Sequence, residues 1–305
     1  MTRDELARNR KAAAISWAEG VWGRKVRDAH QLSGGWTSTM LSLQADDGQC
    51  AVLRVMTREP WRSHAAGLLA RESETQRQLL DTKIAAPMSL GVDPDGTLAG
   101  SPAHLMSWLP GAVELTRADP RFLQRLARLL TDIHRHDPGS ARPRTYQSWA
   151  PPAKRVAPAW SQSPTLWEQA FEVLARPAPP YQGTFLHRDF HLGNVLWQGE
   201  EVTGVVDWVE TSWGPAGLDV AHCTTYLAML HGPETAEVFV SAYRDLADGF
   251  QDDPGVQPYW QVMDIVGYLP DPTKVVQPWR ELGRQVSDRL ARTRLEQHLA
   301  AVLQH

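Results

Sequence analysis

Alternating apolar and polar residues run through the first third of the chain, a pattern with the period of two that predicts β-strands. The segments TMLSLQA and CAVLRVM both show it, and the turn-forming stretch from Ala45 to Gly48 joins them. This arrangement predicts a hairpin. From His64 to Leu80, leucines recur among charged residues and predict a helix.

A change of pattern near residue 110 predicts a domain boundary. The segment SPAHLMSW predicts another strand, and a turn signal at Leu109, Pro110 and Gly111 follows it. We therefore expect an N-terminal domain over residues 1–109, which begins with a charged surface helix, and a C-terminal domain over residues 110–305.

The second part of the chain is predominantly helical in pattern. Residues 137–180 are rich in proline, serine and arginine and predict an irregular insertion with one short helix, followed by the short apolar strands TFLH and TGVVDW. A strand-rich N-terminal lobe joined to a mostly helical lobe indicates an α+β, two-lobed fold. The apolar residues of the two clearest helical patterns are Phe122, Leu123, Leu126, Leu129, Leu130 and Ile133, and Val286, Leu290, Leu295, Leu299 and Val302.

Composition narrows the functional classes. The chain has 305 residues, 42% of them apolar, and a formal net charge of -4 with no long basic run, which argues against nucleic acid as a partner. The charged N-terminus predicts neither a signal peptide nor a membrane span. The two cysteines, far apart in sequence, exclude a disulfide framework and a four-cysteine zinc site. We expect a cytoplasmic protein.

The segment from His187 to Asn194 carries the clearest chemical signal. It reads HRDFHLGN, and VVDW follows on the next predicted strand. Phosphoryl transfer needs a carboxylate that orients the attacking hydroxyl and accepts its proton, together with oxygen ligands that hold Mg²⁺. Asp189 has the chemistry for the first role, while Asn194 and Asp207 have it for the second.

This segment resembles the catalytic loop of the aminoglycoside phosphotransferase-like kinases, which share the protein-kinase fold. Their pattern, H-x-D-x-x-x-x-N followed by a magnesium-binding aspartate, is matched by His187, Asp189, Asn194 and Asp207. In GPAGLDVAH, Asp219 falls at the position of the family's structural aspartate, which braces the catalytic loop. The resemblance thus implies ATP and Mg²⁺ as cofactors, with His187 and Asp219 in structural roles.

The resemblance also implies the nucleotide site. HLMSWLPG is similar to the adenine-binding hinge, and Glu72 is similar to the helix glutamate that orients the phosphate-binding cation. Because no lysine lies between Lys25 and Lys83, Arg54 takes the place of the usual lysine. Arginine stays charged and grips phosphate with two donors. The implied nucleotide-binding residues are Gly35, Thr37, Ser38, Arg54, Glu72, Ser107 and Leu109.

The acceptor is not readable from the sequence beyond a hydroxylated small molecule, such as an aminoglycoside or other antibiotic, a sugar or an amino alcohol. Acidic residues outnumber basic ones after Trp208, which would suit a cationic acceptor, although solvated helix faces explain most such excesses. We name His191, Glu210, Asp264 and Tyr268 as candidate substrate-binding residues.

Two alternatives stay open at this stage. One is a nucleotide-binding module without catalysis, which the substitution of arginine for lysine allows. The other is a non-haem iron oxygenase that would bind iron through His187, Asp189 and a distant histidine. An iron site of that kind needs a many-stranded β-barrel, and it leaves Asn194 and Asp207 without a role.

Overall fold

A computed structural model describes residues 3–33, 37–247 and 258–304. The chain divides into two compact units, Met1–Gly111 with Thr203–Glu210, and Ala112–Val202 with Thr211–His305. The described helices are α1 Arg3–Trp22, α2 Ala65–Leu79, α3 Pro120–His134, α4 Pro164–Ala175, α5 Gly217–His231, α6 Pro233–Leu246, α7 Pro258–Gly267, α8 Val276–Glu281 and α9 Asp288–Gln304. The described strands are β1 Val26–Gln31, β2 Thr39–Ala45, β3 Cys50–Val55, β4 Ser89–Asp93, β5 Ala103–Ser107, β6 Ala112–Val113, β7 Gly183–Leu186, β8 Val195–Gln198, β9 Glu201–Val205 and β10 Ser212–Pro215.

A five-stranded antiparallel sheet forms the first unit, with the strand order β1, β2, β3, β5, β4. The predicted hairpin of β2 and β3 is confirmed, with Leu41 opposite Leu53. Both leucines are fully buried on one face of the sheet, where they form a core with Ala14 and Ala18 of α1. Alanines on the contact face let a helix approach a sheet closely, so one face of the charged N-terminal helix is buried.

The opposite face of this sheet carries polar side chains because successive strand residues point to opposite sides. Arg54 on β3 lies opposite His104 on β5, and α2 contributes Glu72 between them. All three side chains are almost completely buried. Buried charges are strongly unfavourable unless they are paired, so this face depends on specific partners.

A fully buried helix, α5, forms the centre of the second unit. Every residue from Gly217 to Leu230 is buried, as expected for a helix that is apolar all round, and α6, α7 and α9 contact it. Its polar residues, among them Asp219 and His222, therefore require hydrogen-bond partners within the protein.

Local signals explain two helix starts of the second unit. Asp119 precedes α3 and accepts a hydrogen bond from the backbone N–H of Phe122 at 3.1 Å, with Pro120 at the first helical position. Pro164 likewise stands at the first helical position of α4, where Ser163 makes no capping hydrogen bond through its side chain. The predicted α3 and the short helix within the irregular segment 137–180 are both confirmed.

The predicted domain limits need a correction. Thr203–Glu210 belongs to the first unit, whereas the sequence pattern assigned everything after residue 109 to the second domain. The backbone N–H of Val205 donates to the carbonyl of Ala85 at 2.8 Å, which ties this segment to the first unit. Hydrogen bonds between segments so distant in sequence leave no trace in hydrophobic periodicity.

The terminal helix also differs from its prediction. α9 begins at Asp288, so Val286 lies before it. Leu290 is 39% exposed, and the buried face instead includes Ala291 and His298. The segment after Asn194 differs from its prediction too. The next strand was expected at TGVVDW, whereas β8 follows directly after Asn194 and precedes β9.

Among the helices within the described ranges, none combines the length and apolar character needed to cross a membrane.

The sheet core provides a stability test. Leu43 is fully buried and Leu98 is 75% exposed, and both lie in the first unit. Replacing Leu43 with alanine removes buried apolar surface and leaves a cavity, so we expect the free energy of unfolding to fall by about 2–5 kcal/mol. Leu98→Ala should change it by less than about 0.5 kcal/mol. Chemical denaturation of both variants tests the assignment, and equal effects would contradict it.

Candidate active site

The loop from His187 to Asn194 connects β7 to β8, and hydrogen bonds to a side chain of α5 hold it in place. One carboxylate oxygen of Asp219 accepts the backbone N–H of His187 at 2.8 Å, and the other accepts that of Arg188 at 2.7 Å. His134 lies 3.2 Å from the same carboxylate. Asp219 therefore satisfies two buried backbone donors of the loop, which is the bracing role expected for it.

Arg188 shows why this loop needs a brace. Its φ of 72° lies in the left-handed region, which is unfavourable for a residue other than glycine. The arginine side chain stacks over the ring of Trp149 at 3.8 Å and donates to the carbonyl of Gln147 at 3.1 Å. These contacts, with Asp219, hold the backbone in the turn that places the next residue, Asp189.

Both carboxylate oxygens of Asp189 have partners. The side-chain amide of Asn194 donates to Oδ2 at 3.2 Å and to the backbone carbonyl of Asp189 at 2.9 Å. Nε2 of His222 lies 3.0 Å from Oδ1. The Asp189 side chain is still 28% exposed. It is therefore fixed in orientation and accessible to a small molecule.

His222 is the residue that the sequence interpretation missed. It lies three residues after Asp219 on α5, so both side chains project from the same face of the helix. Its Nδ1 lies 2.9 Å from Oδ1 of Asp264 on α7, which makes a chain Asp189, His222, Asp264. The spacing to Asp219 was a usable signal, but nothing in the sequence indicated that a residue on α7 would face His222.

Electrostatics follow from this chain of groups. Burial lowers the pKa of His222, but Asp264 and Asp189 outweigh it and raise that pKa to about 9. Burial raises the pKa of Asp189, but the hydrogen bond from His222 and the nearby His191 hold it well below its usual range. At neutral pH, an imidazolium therefore lies between two carboxylates.

The two loop histidines are committed to the loop itself. Nδ1 of His187 accepts the backbone N–H of Asp189 at 3.2 Å, and the side chain is fully buried. Nδ1 of His191 accepts the N–H of Gly193 at 2.9 Å, while its ring stacks on Tyr226 at 3.9 Å. Burial lowers the pKa of His191 to about 3, so the ring is neutral. Its proton therefore resides on Nε2.

A metal site at Asp189, His191 and His222 does not fit these bonds. The three side chains offer ligand atoms within 4.8 Å of one another. However, Nε2 of His191 carries a proton, and both nitrogens of His222 lie against carboxylates. A metal ligand needs a free nitrogen lone pair. The iron-oxygenase alternative also lacks its scaffold, because the strands of the described residues form no barrel around this loop.

A second polar cluster lies in the first unit, around Arg54. Its Nη2 donates to Glu72 at 3.1 Å and to Oδ1 of Asp207 at 3.0 Å. Glu72 also lies 2.9 Å from Nδ1 of His104. Burial lowers the pKa of Arg54, but Asp207 and Glu72 outweigh it and raise that pKa. The guanidinium therefore stays charged in a buried position, where an unpaired charge would be unstable.

The other implied nucleotide-binding residues are placed as follows. Ser38 is buried with Oγ 3.5 Å from Nη1 of Arg54, and Thr37 is half-buried. Gly35 lies outside the described residues. The backbone N–H and the hydroxyl of Ser107 both bond to the backbone of Met88, so the N–H of Ser107 is not available to a base.

Leu109 follows in the half-buried segment after β5. A side chain at Gly204 would have its Cβ 2.3 Å from a methyl of Leu109, so this segment and β9 approach closely where glycine stands.

The four acceptor candidates belong to different units. Glu210 lies in the first unit, and the other three lie in the second. The Asp264 side chain is only 1% exposed and is bonded to His222, so in this structure it is not accessible to a substrate. Tyr268 is also buried, with its ring stacked 6.0 Å from that of His222. Asp264 and Tyr268 thus contact His222, which in turn bonds to Asp189 of the loop.

A pair of lysines lies beside Tyr268. Lys154 and Lys274 both donate to the carbonyl of Gly267 at the end of α7, at 2.5 and 3.4 Å. The pKa of Lys274 is lowered to about 8 by burial and by Lys154. Within the described residues, neither ammonium has a carboxylate within 4.0 Å. This positive charge was not apparent from the acidic composition of the C-terminal part.

Comparison with known proteins identifies the family. Residues 28–259 match the sequence profile described as "Phosphotransferase enzyme family". The chain belongs to this family. The match extends over both units and includes the loop from His187 to Asn194, Arg54 and Asp207. The family expected from the loop motif is therefore confirmed.

Curated relatives are distant and match only in part. A Mus musculus protein, acyl-CoA dehydrogenase family member 10, is 27% identical over 185 residues, which are 53% of this chain and 17% of that protein. Homoserine kinase of Methylobacterium nodulans is 31% identical over 137 residues, 42% of each chain. The matched region thus spans less than half the length of either relative.

Solved structures confirm the two-lobed, protein-kinase-like fold of this phosphotransferase family member. The aminoglycoside phosphotransferase APH(4)-Ia has a TM-score of 0.64 at 18% identity, with 95% of this chain and 99% of that chain covered. The amicoumacin kinase hAmiN, solved with AMP-PNP and Ca²⁺, has a TM-score of 0.62 at 12% identity, with 98% and 96% covered.

Removal of the Asp219 brace should be destabilising. Asp219→Ala leaves two buried N–H groups of the loop without acceptors, each worth about 1–3 kcal/mol, so we expect a loss of about 2–5 kcal/mol in the free energy of unfolding. Asp219→Asn keeps one acceptor oxygen and should lose less. Denaturant titration measures both, and an Ala variant as stable as the Asn variant would contradict the bracing role.

The same residue gives a pH dependence. Burial raises the pKa of Asp219, but the bonds to His134 and the nearby positive charges outweigh it and lower that pKa below its ordinary value. The resulting stability is fully present above about pH 4 and is lost as the pH falls through the folded-state pKa. The Asp219→Asn variant should therefore lose less stability on acidification than the unmodified protein.

Proposed function

We propose that this phosphotransferase family member transfers the γ-phosphoryl group of ATP to a hydroxyl of a small molecule. The observation that carries the proposal is the state of Asp189. Its carboxylate is ionised, held through both oxygens by Asn194 and His222, and still partly exposed. A fixed, accessible carboxylate is what a hydroxyl acceptor needs for orientation.

Asp189 orients the acceptor hydroxyl. The hydroxyl oxygen bonds to the γ-phosphorus while the bond from that phosphorus to the β,γ-bridging oxygen breaks, and ADP leaves. The hydroxyl proton passes to the carboxylate of Asp189. Because the transition state of phosphoryl transfer is loose, little negative charge must develop on the acceptor before the phosphoryl group moves. Orientation by Asp189 therefore matters more than strong basicity.

Asn194 and Asp207 would hold Mg²⁺. Their donors are a side-chain amide oxygen and a carboxylate, the hard oxygen ligands that Mg²⁺ takes in proteins. The side-chain amide nitrogen of Asn194 donates to Asp189, so the side-chain oxygen is the atom that would bind Mg²⁺. Bound Mg²⁺ would neutralise charge on the nucleotide phosphates. Arg54, held by Glu72, would contact the same phosphates.

The choice of acceptors to test takes account of positive charge in the second unit. The sequence suited a cationic acceptor, but Lys154 and Lys274 place positive charge beside Tyr268. We therefore include hydroxy acids with aminoglycosides, macrolides, sugars and amino alcohols in an acceptor panel, with ATP and GTP as donors. Mass spectrometry detects the phosphorylated product. A cytoplasmic location stays a prediction.

Asp189→Asn tests the reaction. The amide keeps the shape of the side chain but neither accepts the proton nor carries charge, so we expect turnover to fall by about 10²-fold or more. ATP binding, measured by calorimetry, should survive. Asp132→Asn, an exposed position on α3, is the matched control. Unaltered turnover in Asp189→Asn would refute the role, and an intact chain that binds ATP without turnover would favour the non-catalytic module.

Substitution of Arg54 tests the phosphate-binding cation. Arg54→Lys keeps a positive charge beside Glu72 and should retain ATP binding within about tenfold. Arg54→Met leaves the buried carboxylate of Glu72 without its cation, which should lower the free energy of unfolding by about 3–5 kcal/mol and abolish ATP binding. Thermal denaturation and calorimetry report the two effects. Equal ATP affinity in both variants would contradict the assignment.

A further inference from the structure

We infer that His222, held by Asp264, is a positioning residue that fixes the orientation of Asp189 for the transfer step. This inference rests on the proposed phosphoryl transfer, because it assigns a role in that reaction to two residues outside the kinase motif. The bonds that carry it are the 3.0 Å contact from Nε2 of His222 to Asp189 and the 2.9 Å contact from Nδ1 to Asp264.

The order of the three groups gives them different roles. Asp189 is 28% exposed, His222 is 7% exposed and Asp264 is 1% exposed, so the chain runs from an accessible group into the core. Only Asp189 is placed to touch an acceptor. His222 influences the reaction through its bond to Asp189, and Asp264 influences it through its bond to His222.

Two aromatic rings and the buried helix α5 fix the position of His222. Its ring contacts Trp149 edge-on at 5.2 Å and lies parallel to the ring of Tyr268 at 6.0 Å. α5 holds its backbone in the buried centre of the unit, three residues from the loop brace Asp219. A donor fixed in this way restricts the carboxylate of Asp189 to one rotamer, because rotation would break the bond from Nε2.

Charge is the second contribution of this arrangement. With one imidazolium between two carboxylates, the three groups carry a net charge of -1. Without Asp264, the imidazolium would lose the main charge that stabilises it, and a neutral ring would donate a weaker hydrogen bond to Asp189. The negative charge of Asp264 compensates the positive charge of the imidazolium. Asp189 therefore has a fixed hydrogen-bond donor, while the three groups together stay negatively charged. A lowered proton affinity of Asp189 is tolerable because the transition state is loose.

Three variants separate these contributions. His222→Phe removes the donor and keeps a ring, so we expect kcat to fall by about 10²-fold, the effect of a misplaced reacting group, with the KM for ATP unchanged. His222→Gln keeps an amide N–H in place of Nε2 and should recover part of that loss. His231→Phe, on the same helix, is the control and should leave kcat unchanged.

Asp264→Asn isolates the charge. The shape is kept, but the main group that stabilises the imidazolium is lost, so the pKa of His222 should fall from about 9. The other titratable groups that face this ring stay unchanged: Asp189 and His191 from the loop, Tyr226 on α5, and Tyr268 just after the end of α7. The alkaline limb of the pH profile of kcat should move to lower pH in Asp264→Asn.

Nuclear magnetic resonance of ¹⁵N-histidine-labelled protein gives a readout independent of turnover. At pH 7.5 we expect His222 to show the nitrogen shifts of an imidazolium in the intact chain and those of a neutral ring in Asp264→Asn. A neutral His222 in the intact chain would overturn the charge contribution assigned to Asp264. An undiminished kcat in a folded His222→Phe protein would overturn the positioning role of His222. Absence of ATP turnover in the intact chain would instead refute the proposed transfer itself.

Discussion

The carboxylate of Asp219 is the interaction on which the candidate active site depends. It accepts two consecutive backbone N–H groups of the loop, at His187 and Arg188, while Arg188 has a left-handed conformation. Without these bonds, two buried donors would lack partners in a strained turn. The position of Asp189 follows from this brace, and so does the meeting of Asp189 with His222, which lies one helical turn further along α5.

In both polar clusters a buried positive charge is compensated in the same way. Arg54 in the first unit is satisfied by two carboxylates, Glu72 and Asp207. His222 in the second unit is likewise placed between Asp189 and Asp264. In each case a buried cation is paired with two anions, one of them more exposed than the other. To the more exposed anions we assign contact with the acceptor, at Asp189, and with Mg²⁺, at Asp207.

The local elements and the family could be predicted from the sequence. The hairpin, α2, α3 and α4 follow from short-range periodicity and from proline at helix starts, which act within a few residues. The motif residues His187, Asp189 and Asn194 were identified because one tight loop fixes their spacing. The bracing role expected for Asp219 from the family resemblance agrees with its bonds to the loop.

Only the tertiary structure decided which distant residues meet. His222 and Asp264 are 42 residues apart, and their bond depends on how α5 and α7 pack. Its place in an apolar helical segment made Asp264 a candidate acceptor contact, whereas in the structure its side chain is buried and bonded to His222. The return of Thr203–Glu210 to the first unit arises in the same way. Periodicity reports which face of an element is buried, but it carries no information about which side chain of another element lies opposite.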